Sequence, residues 1–139
     1  MTDPLAALDR AREAITALPD AEVRSVLAAA VGALLAGEDA RPALGLDGGR
    51  YAQLRQARRN YHLRNAAALL GERTPWLQAK ALRRQAALFE GTVWPRWREK
   101  DSPPPTASPL QVELWRARKS WRFPNTPMMY SNIIGEGDE

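Results

Sequence analysis

The sequence lacks cysteine altogether. None of its 139 residues is Cys, which excludes disulfides, a thiolate nucleophile and cysteine-type zinc sites. No apolar run reaches the roughly 20 residues that a membrane-spanning helix needs. The first ten residues, MTDPLAALDR, lack the basic start of a signal peptide. We therefore expect a soluble, cytoplasmic protein with no membrane partner.

Signals of an enzyme site are also scarce. The single histidine, His62, lies beside Arg58 and Arg59, with no nearby carboxylate to orient it as a base. The serines have no context typical of an activated nucleophile, and no glycine-rich phosphate loop follows a strand. The acidic residues do not have the spacing of metal ligands. We predict a non-enzymatic protein with no catalytic residue, metal or cofactor.

Strand signals are missing, whereas helix-start signals recur. No sustained alternation of β-branched residues indicates a strand. At four places a residue that can accept the free N–H groups of a first helical turn comes directly before proline. These places are Asp3-Pro4, Thr74-Pro75, Ser108-Pro109 and Thr126-Pro127. The pattern predicts an all-α fold, a compact bundle of five or six helices.

Glycine and proline divide the helical pattern into four segments. Residues 1–36 are predicted to form an N-terminal helical hairpin that serves packing or dimerisation. Residues 50–91 are predicted to form a basic, helix-turn-helix-like pair of helices, with a bend or break in the first helix near residues 60–65. Residues 92–109 are rich in Trp and Pro and are predicted to form a linker arm. Residues 110–139 are predicted to form a C-terminal helix with a tail. We expect these segments to form one domain.

Positive charge is concentrated in the middle of the chain. Residues 50–100 contain 12 basic and 3 acidic residues, whereas residues 1–49 contain 4 basic and 8 acidic residues. A basic segment beside an acidic one favours an anionic partner, with nucleic acid first. The alternative is a solvated, arginine-rich surface.

The stretch AAALLGERTPWLQAKALRR, residues 66–84, joins two helices around a glycine. The apolar side of the second helix is predicted to contain Leu77, Ala81, Leu82, Ala86, Leu88 and Phe89. Its opposite side carries Lys80, Arg83 and Arg84. A DNA-recognition helix needs one packed side and one cationic side. An ordinary helical hairpin with a solvated basic side has the same pattern, so both interpretations stay open.

The same stretch resembles the Fis-type helix-turn-helix, a family of small bacterial DNA-binding segments. The matching residues are Ala66, Ala67, Leu70, Gly71 and Leu77, whereas Glu72 and Ala81 depart from the family pattern. The resemblance implies that the alanines let two helices approach closely, that Gly71 makes the turn, and that Leu77 packs the second helix against the first.

The resemblance also implies roles for the residues around the start of the second helix. Those at the end that enters the major groove would be Arg73, Thr74, Trp76 and Gln78. Arg73 could pair with guanine and Gln78 with adenine. The expected phosphate contacts are Lys80, Arg83 and Arg84, joined by Arg55, Arg58 and Arg59 from the preceding helix.

Tryptophan and arginine alternate closely in the second half of the chain. The tryptophans concerned are Trp94, Trp97, Trp115 and Trp121. Such side chains can stack on single-stranded bases or anchor a protein interface. They can also simply fill the core, because all the aromatic residues lie at or after Tyr51.

The sequence favours a small DNA-binding protein, which would be a homodimer if it reads palindromic sites. The stretch PLQVELWRARKSWRFPNTPMMYSNII looks like the C-terminal parts of small phage and plasmid proteins, which suggests a regulator from such an element. One alternative is a helical subunit of a nucleoprotein complex that holds the nucleic-acid backbone without reading its sequence. The other is a protein–protein adaptor or inhibitor that uses the Trp/Arg-rich C-terminal half.

Overall fold

The regular structure of this protein is helical. The computed structural model describes residues 3–72 and 74–136, and every regular element within them is an α-helix. The all-α prediction is therefore confirmed. The described residues contain seven helices rather than the expected five or six. None of them is long and apolar enough to cross a membrane. The chain divides into two compact units, Met1–Gln53 (unit 1) and Leu54–Glu139 (unit 2).

Unit 1 contains a pair of helices, α1 (Pro4–Ile15) and α2 (Ala21–Leu35), which pack against each other. The Asp3 carboxylate accepts the Leu5 N–H at 3.0 Å and so caps α1. The Asp20 carboxylate caps α2 in the same way, accepting the N–H groups of its first turn. Such caps satisfy backbone donors that have no partner inside the helix.

Unit 2 contains most of α3 and the four helices that follow it. Their bounds are α3 (Arg50–Leu69), α4 (Pro75–Thr92), α5 (Trp94–Trp97), α6 (Pro109–Ser120) and α7 (Pro127–Glu136). The one-turn helix α5 lies in the segment 92–109, where the sequence predicts only a linker arm. Its proline, Pro95, stands in the first turn, where a missing N–H has no helical partner to lose.

Each of the four cap-proline pairs begins a helix, as predicted. In unit 2, the Thr74 hydroxyl accepts the Leu77 N–H at 3.2 Å. Ser108 and Gln111 form a reciprocal capping box, in which each side chain bonds the backbone N–H of the other. The Thr126 hydroxyl accepts the Met129 N–H at 3.3 Å. These bonds span three residues, which is why the sequence alone reveals them.

The break predicted near residues 60–65 is absent, because α3 runs without interruption from Arg50 to Leu69. The apolar residues along α3 lie on two sides of the helix that have different environments. Leu63 and Ala67 are buried, whereas Leu54 and Tyr61 are exposed. An uninterrupted helix accommodates this pattern because only the side with Leu63 and Ala67 packs into the core of unit 2.

Four helices, α3, α4, α6 and α7, supply most of the core of unit 2, and α4 packs against α5, α6 and α7. The buried residues of this core are Leu63, Ala66, Ala67, Ala79, Leu82, Ala86, Phe89, Val93, Leu114, Trp115, Ala117, Tyr130, Ile133 and Ile134.

The buried side of α4 agrees only in part with the predicted one, since Leu82, Ala86 and Phe89 are buried as expected. It includes Ala79, which the prediction left out, whereas Leu77 and Leu88 are 45% and 59% exposed. Leu77, to which the helix-turn-helix resemblance gives a packing role, is not among the residues of the unit 2 core. The buried stripe instead follows positions 79, 82, 86 and 89, which recur every three or four residues along the helix.

Candidate nucleic-acid interface

Three shallow hollows adjoin one another on the surface of unit 2. The first, of about 370 Å³, is lined by Lys80, Arg83 and Arg84 of α4. The second, of about 310 Å³, shares Arg83 with the first and also reaches Glu90 and Arg122. The third, also of about 370 Å³, shares Arg122 with the second. Shared lining residues therefore join the three hollows into a continuous surface.

We call this surface the basic track and define it by its cationic residues, which are Lys80, Arg83, Arg84, Arg122, Arg55, Arg98, Arg118 and Lys119. Among the described residues that line the three hollows, Glu90 alone is acidic. Cations from α3, α4, α6 and the segments after α5 and α6 thus meet in one strongly cationic surface. Such a surface attracts polyanions.

One end of the basic track is formed by α4. Lys80, Arg83 and Arg84 are all exposed, since they lie on the side of α4 away from its buried stripe. The Arg83 Nε–H donates to the Asn125 backbone oxygen at 3.1 Å, which holds part of its guanidinium. The Lys80 ammonium lies 6.0 Å from the centre of the exposed Trp76 ring. The sequence predicted these three cations as phosphate contacts, and the structure places them together.

The other end of the track is the third hollow, which we call the tryptophan hollow. Its lining residues are Arg55, Trp94, Arg98, Arg118, Lys119, Trp121 and Arg122. The Arg118 guanidinium carbon lies 4.8 Å from the centre of the Trp94 ring. The guanidinium carbons of Arg55 and Arg122 lie 5.2 Å and 6.0 Å, respectively, from the centre of the Trp121 ring. Cation–π attraction at these distances favours positions of the guanidinium groups beside the indole rings.

Carboxylates compensate only part of the charge in the tryptophan hollow. The Glu90 carboxylate accepts from the Arg118 Nε–H at 2.8 Å. Glu99 lies 3.4 Å from the Arg98 guanidinium, but both side chains are well exposed, so solvent weakens this pair. The Lys119 ammonium donates to the backbone oxygens of Arg98 and Lys100, which carry no formal charge. The hollow therefore keeps an excess of positive charge.

Arg59 holds the backbone of Arg122, one of the lining residues of the tryptophan hollow. The sequence predicts a phosphate contact for it, but its Nη1–H group donates to the Arg122 backbone oxygen at 2.9 Å. Its Nε–H group donates to the Asn60 side-chain oxygen at 3.0 Å. Burial lowers the pKa of Arg59 from its usual value. Arg59 thus anchors the chain next to Trp121, while the exposed Arg58 lines none of the three hollows.

Two of the predicted base-reading side chains are engaged within the protein. The Thr74 hydroxyl caps α4 by accepting the Leu77 N–H. The Gln78 amide donates to the Glu72 backbone oxygen at 3.0 Å. Trp76 is exposed, and the prediction for Arg73 lies outside the described residues.

The four tryptophans proposed as interface residues divide into two pairs. Trp115 is only 6% exposed and its indole N–H donates to the Trp97 backbone oxygen at 3.1 Å. The Trp97 ring packs edge-on against Phe89, 6.2 Å between ring centres. These two fill the core, which corrects the interface prediction for Trp115. Trp94 and Trp121 line the tryptophan hollow, although Trp94 also packs against the core, and no signal in the sequence separates the pairs.

A histidine–glutamate contact escaped the sequence analysis. The His62 Nδ1 atom lies 2.7 Å from a Glu113 carboxylate oxygen, and both side chains are partly buried. The expectation that His62 has no carboxylate nearby is therefore wrong. The amide N–H of Asn65 donates to the same oxygen at 3.4 Å, so the contact joins α3 to α6. The partners are 51 positions apart in the chain, which is why local sequence context does not reveal them.

Metal-ligand geometry is absent from the described residues, which contain no group of three or more His, Cys, Asp or Glu side chains that could hold an ion. No protein-family model, curated protein or solved structure matches the chain. The basic track is therefore assessed from its own geometry and charge.

Proposed function

We propose that this chain is a non-enzymatic nucleic-acid-binding protein that holds the sugar–phosphate backbone along the basic track. The observation that carries the proposal is the continuity of the three hollows. They bring cations from α3, α4, α6 and the segments after α5 and α6 to one surface, with Glu90 as the acidic residue among its described lining. Lys and Arg that neutralise phosphates release counterions, which supplies most of the free energy of non-specific binding.

Backbone contact suits this surface better than base reading. The Thr74 hydroxyl and the Gln78 amide already have partners within the protein, so each would have to give up a bond to reach a base edge. The exposed cations of the track, such as Lys80 and Arg84, need no such exchange. Contacts of this kind set position and affinity but carry no sequence information. The proposal therefore favours a helical subunit of a nucleoprotein complex.

Sequence-specific DNA binding through a helix-turn-helix is the second candidate. Two observations favour it: the exposed Trp76 in the first turn of α4, and Gly71, whose φ of +70° permits the tight turn before that helix. In this case the N-terminal turn of α4 enters the major groove, and the exposed cations farther along α4 contact phosphate.

The salt dependence of binding tests the leading proposal. We expect the double variant Lys80→Ala/Arg84→Ala to bind random-sequence duplex more weakly than the wild type. Its slope of log affinity against log salt should be shallower by about 1.8, since each phosphate contact contributes about 0.9. Fluorescence anisotropy at several salt concentrations measures both quantities. Arg10→Ala/Arg12→Ala, which removes the same charge from exposed positions of α1, should leave the slope nearly unchanged.

The outcomes separate the candidates. An equal loss in both double variants would mean that net charge, not the track, drives binding. If Trp76→Ala, Gln78→Ala or Arg73→Ala changes base preference while Arg84→Ala weakens all sequences alike, the helix-turn-helix candidate replaces backbone binding. No binding near physiological salt would contradict both and leave the adaptor alternative.

A further inference from the structure

We infer that the tryptophan hollow binds an unpaired nucleotide, so that the protein prefers single-stranded to duplex nucleic acid. The inference rests on the proposed function and specifies its substrate class. It starts from the position of Trp94 and Trp121, which line a cationic hollow together. Trp94 also packs against the core, whereas Trp121 does not belong to it.

Indole rings in a cationic hollow suit a nucleotide whose base is free to stack. The bases of single strands stack on aromatic side chains whatever their sequence, while nearby cations follow the backbone. In a duplex the base faces are covered by neighbouring base pairs, so only phosphates reach the hollow. Cations alone would suffice for those phosphates, and the two tryptophans would then contribute little. The combination of indoles with five cationic residues in the lining therefore favours a single strand.

The geometry beside Trp121 nearly accommodates a base. The Arg122 guanidinium carbon lies 6.0 Å from the centre of the Trp121 ring. A base between them needs about 7 Å, which is two contact distances of about 3.5 Å. The Arg122 side chain, which is exposed, would therefore have to move outward to admit the base. Guanidinium planes stack on bases just as aromatic rings do, so Arg122 would cover the second face.

The rest of the hollow suits the phosphate of the same nucleotide. Arg98 and Lys119 are exposed in its lining. The Lys119 ammonium gives two N–H groups to backbone oxygens and has a third to donate. The volume of about 370 Å³ falls within the range of about 300–1,000 Å³ that is usual for small-molecule sites. The bond from Arg59 to the Arg122 backbone oxygen steadies the wall against which the base would lie.

The test compares one mixed-sequence DNA oligonucleotide as a single strand and as a duplex, with the full chain at one ionic strength. We expect the wild type to bind the single strand more tightly. Trp121→Leu should weaken single-strand binding about fivefold or more, the size of one base–aromatic stack, and change duplex binding less than twofold. Trp121→Phe should keep most of the preference. Arg84→Ala, at the other end of the track, should weaken both forms alike.

An oligonucleotide of abasic sugar–phosphate provides the matched ligand control. It should bind the wild type about as weakly as the intact single strand binds Trp121→Leu, since both lack the stack. Circular dichroism of each variant shows whether it folds, and Trp121→Phe covers the case in which Trp121→Leu does not.

Other results would overturn the inference. Equal wild-type affinity for single strand and duplex, or an equal loss of both in Trp121→Leu, contradicts the unpaired-nucleotide site while backbone binding stands. Absence of binding to either form contradicts the proposed function itself, and the inference with it.

Discussion

Tyr130 is the largest of the fully buried side chains described, with 1% of its surface exposed. Burial raises the pKa of its hydroxyl above the ordinary value of 10.0, because the phenolate form would lose its hydration. Arg59 and Arg83 act in the opposite direction but do not cancel this effect. The neutral hydroxyl is thus preferred in the folded state at pH values where an exposed tyrosine begins to ionise.

This shift predicts a loss of stability in alkali. Above pH 10 the unfolded chain releases the Tyr130 proton while the folded chain keeps it, so the free energy of unfolding falls as the pH rises. The contribution is fully present below pH 10. We expect Tyr130→Phe to have a smaller fall between pH 9 and pH 11 than the wild type, measured by urea unfolding. Tyr61→Phe, at an exposed position, should behave like the wild type, and an identical slope in all three proteins would contradict the prediction.

Single residues show clearly what a sequence can and cannot predict. The Thr74 cap was predictable because its partner, the Leu77 N–H, is three residues away. The contact between His62 and Glu113 was not, because the fold alone brings these distant positions together. The sequence marked Arg59 as a cation, but not that its guanidinium would bond the Arg122 backbone oxygen.

Among the helices, α4 contributes both to the core of unit 2 and to the basic track. Two leucines on it, Leu82 and Leu88, have opposite environments, with 0% and 59% of their surfaces exposed. We expect Leu82→Ala to lower the free energy of unfolding by about 2–5 kcal/mol through lost burial and a cavity. Leu88→Ala, the same chemical change on the same helix, should alter it by about 0.5 kcal/mol or less. Urea unfolding followed by circular dichroism measures both, and similar losses would refute the assigned buried side.

The sequence of α4 alone was not enough to predict which of its residues face the core. Leu82 and Phe89 of the predicted side are buried, but Leu77 and Leu88 are exposed, because large apolar residues dominate such a pattern whether or not they are buried. The actual stripe includes the small Ala79, where the helix packs closely within the core. Helix existence follows from local signals, whereas the choice of buried side depends on the elements that pack against it, here α5, α6 and α7.

For the whole molecule, the division into two units has a direct experimental consequence. The main hydrophobic core lies entirely within unit 2, between Leu63 and Ile134. We therefore expect a fragment of residues 50–139, which keeps α3 intact, to unfold in one cooperative transition. Circular dichroism during urea unfolding tests this against the full chain. A fragment that unfolds gradually, without a transition, would show that unit 2 depends on unit 1.

The charge distribution of the sequence predicted five of the eight cations of the basic track. The excess of basic residues between positions 50 and 100 pointed to α4 and α3. Arg118, Lys119 and Arg122 belong to a segment in which acidic residues slightly outnumber basic ones, yet they line the tryptophan hollow. Glu113 of the same segment contacts His62 instead, so it does not offset these cations in the hollow.

The pairing of α4 with α7 bears on how the protein forms during synthesis. The contacts between α1 and α2 are local, so that hairpin can assemble as soon as residue 35 has left the ribosome. The buried side of α4 waits much longer, because α7 begins only at Pro127. Nascent chains released before that point would expose Leu82 and Phe89 to other molecules. The second unit should therefore be the part of this protein that relies on chaperones while it is being made.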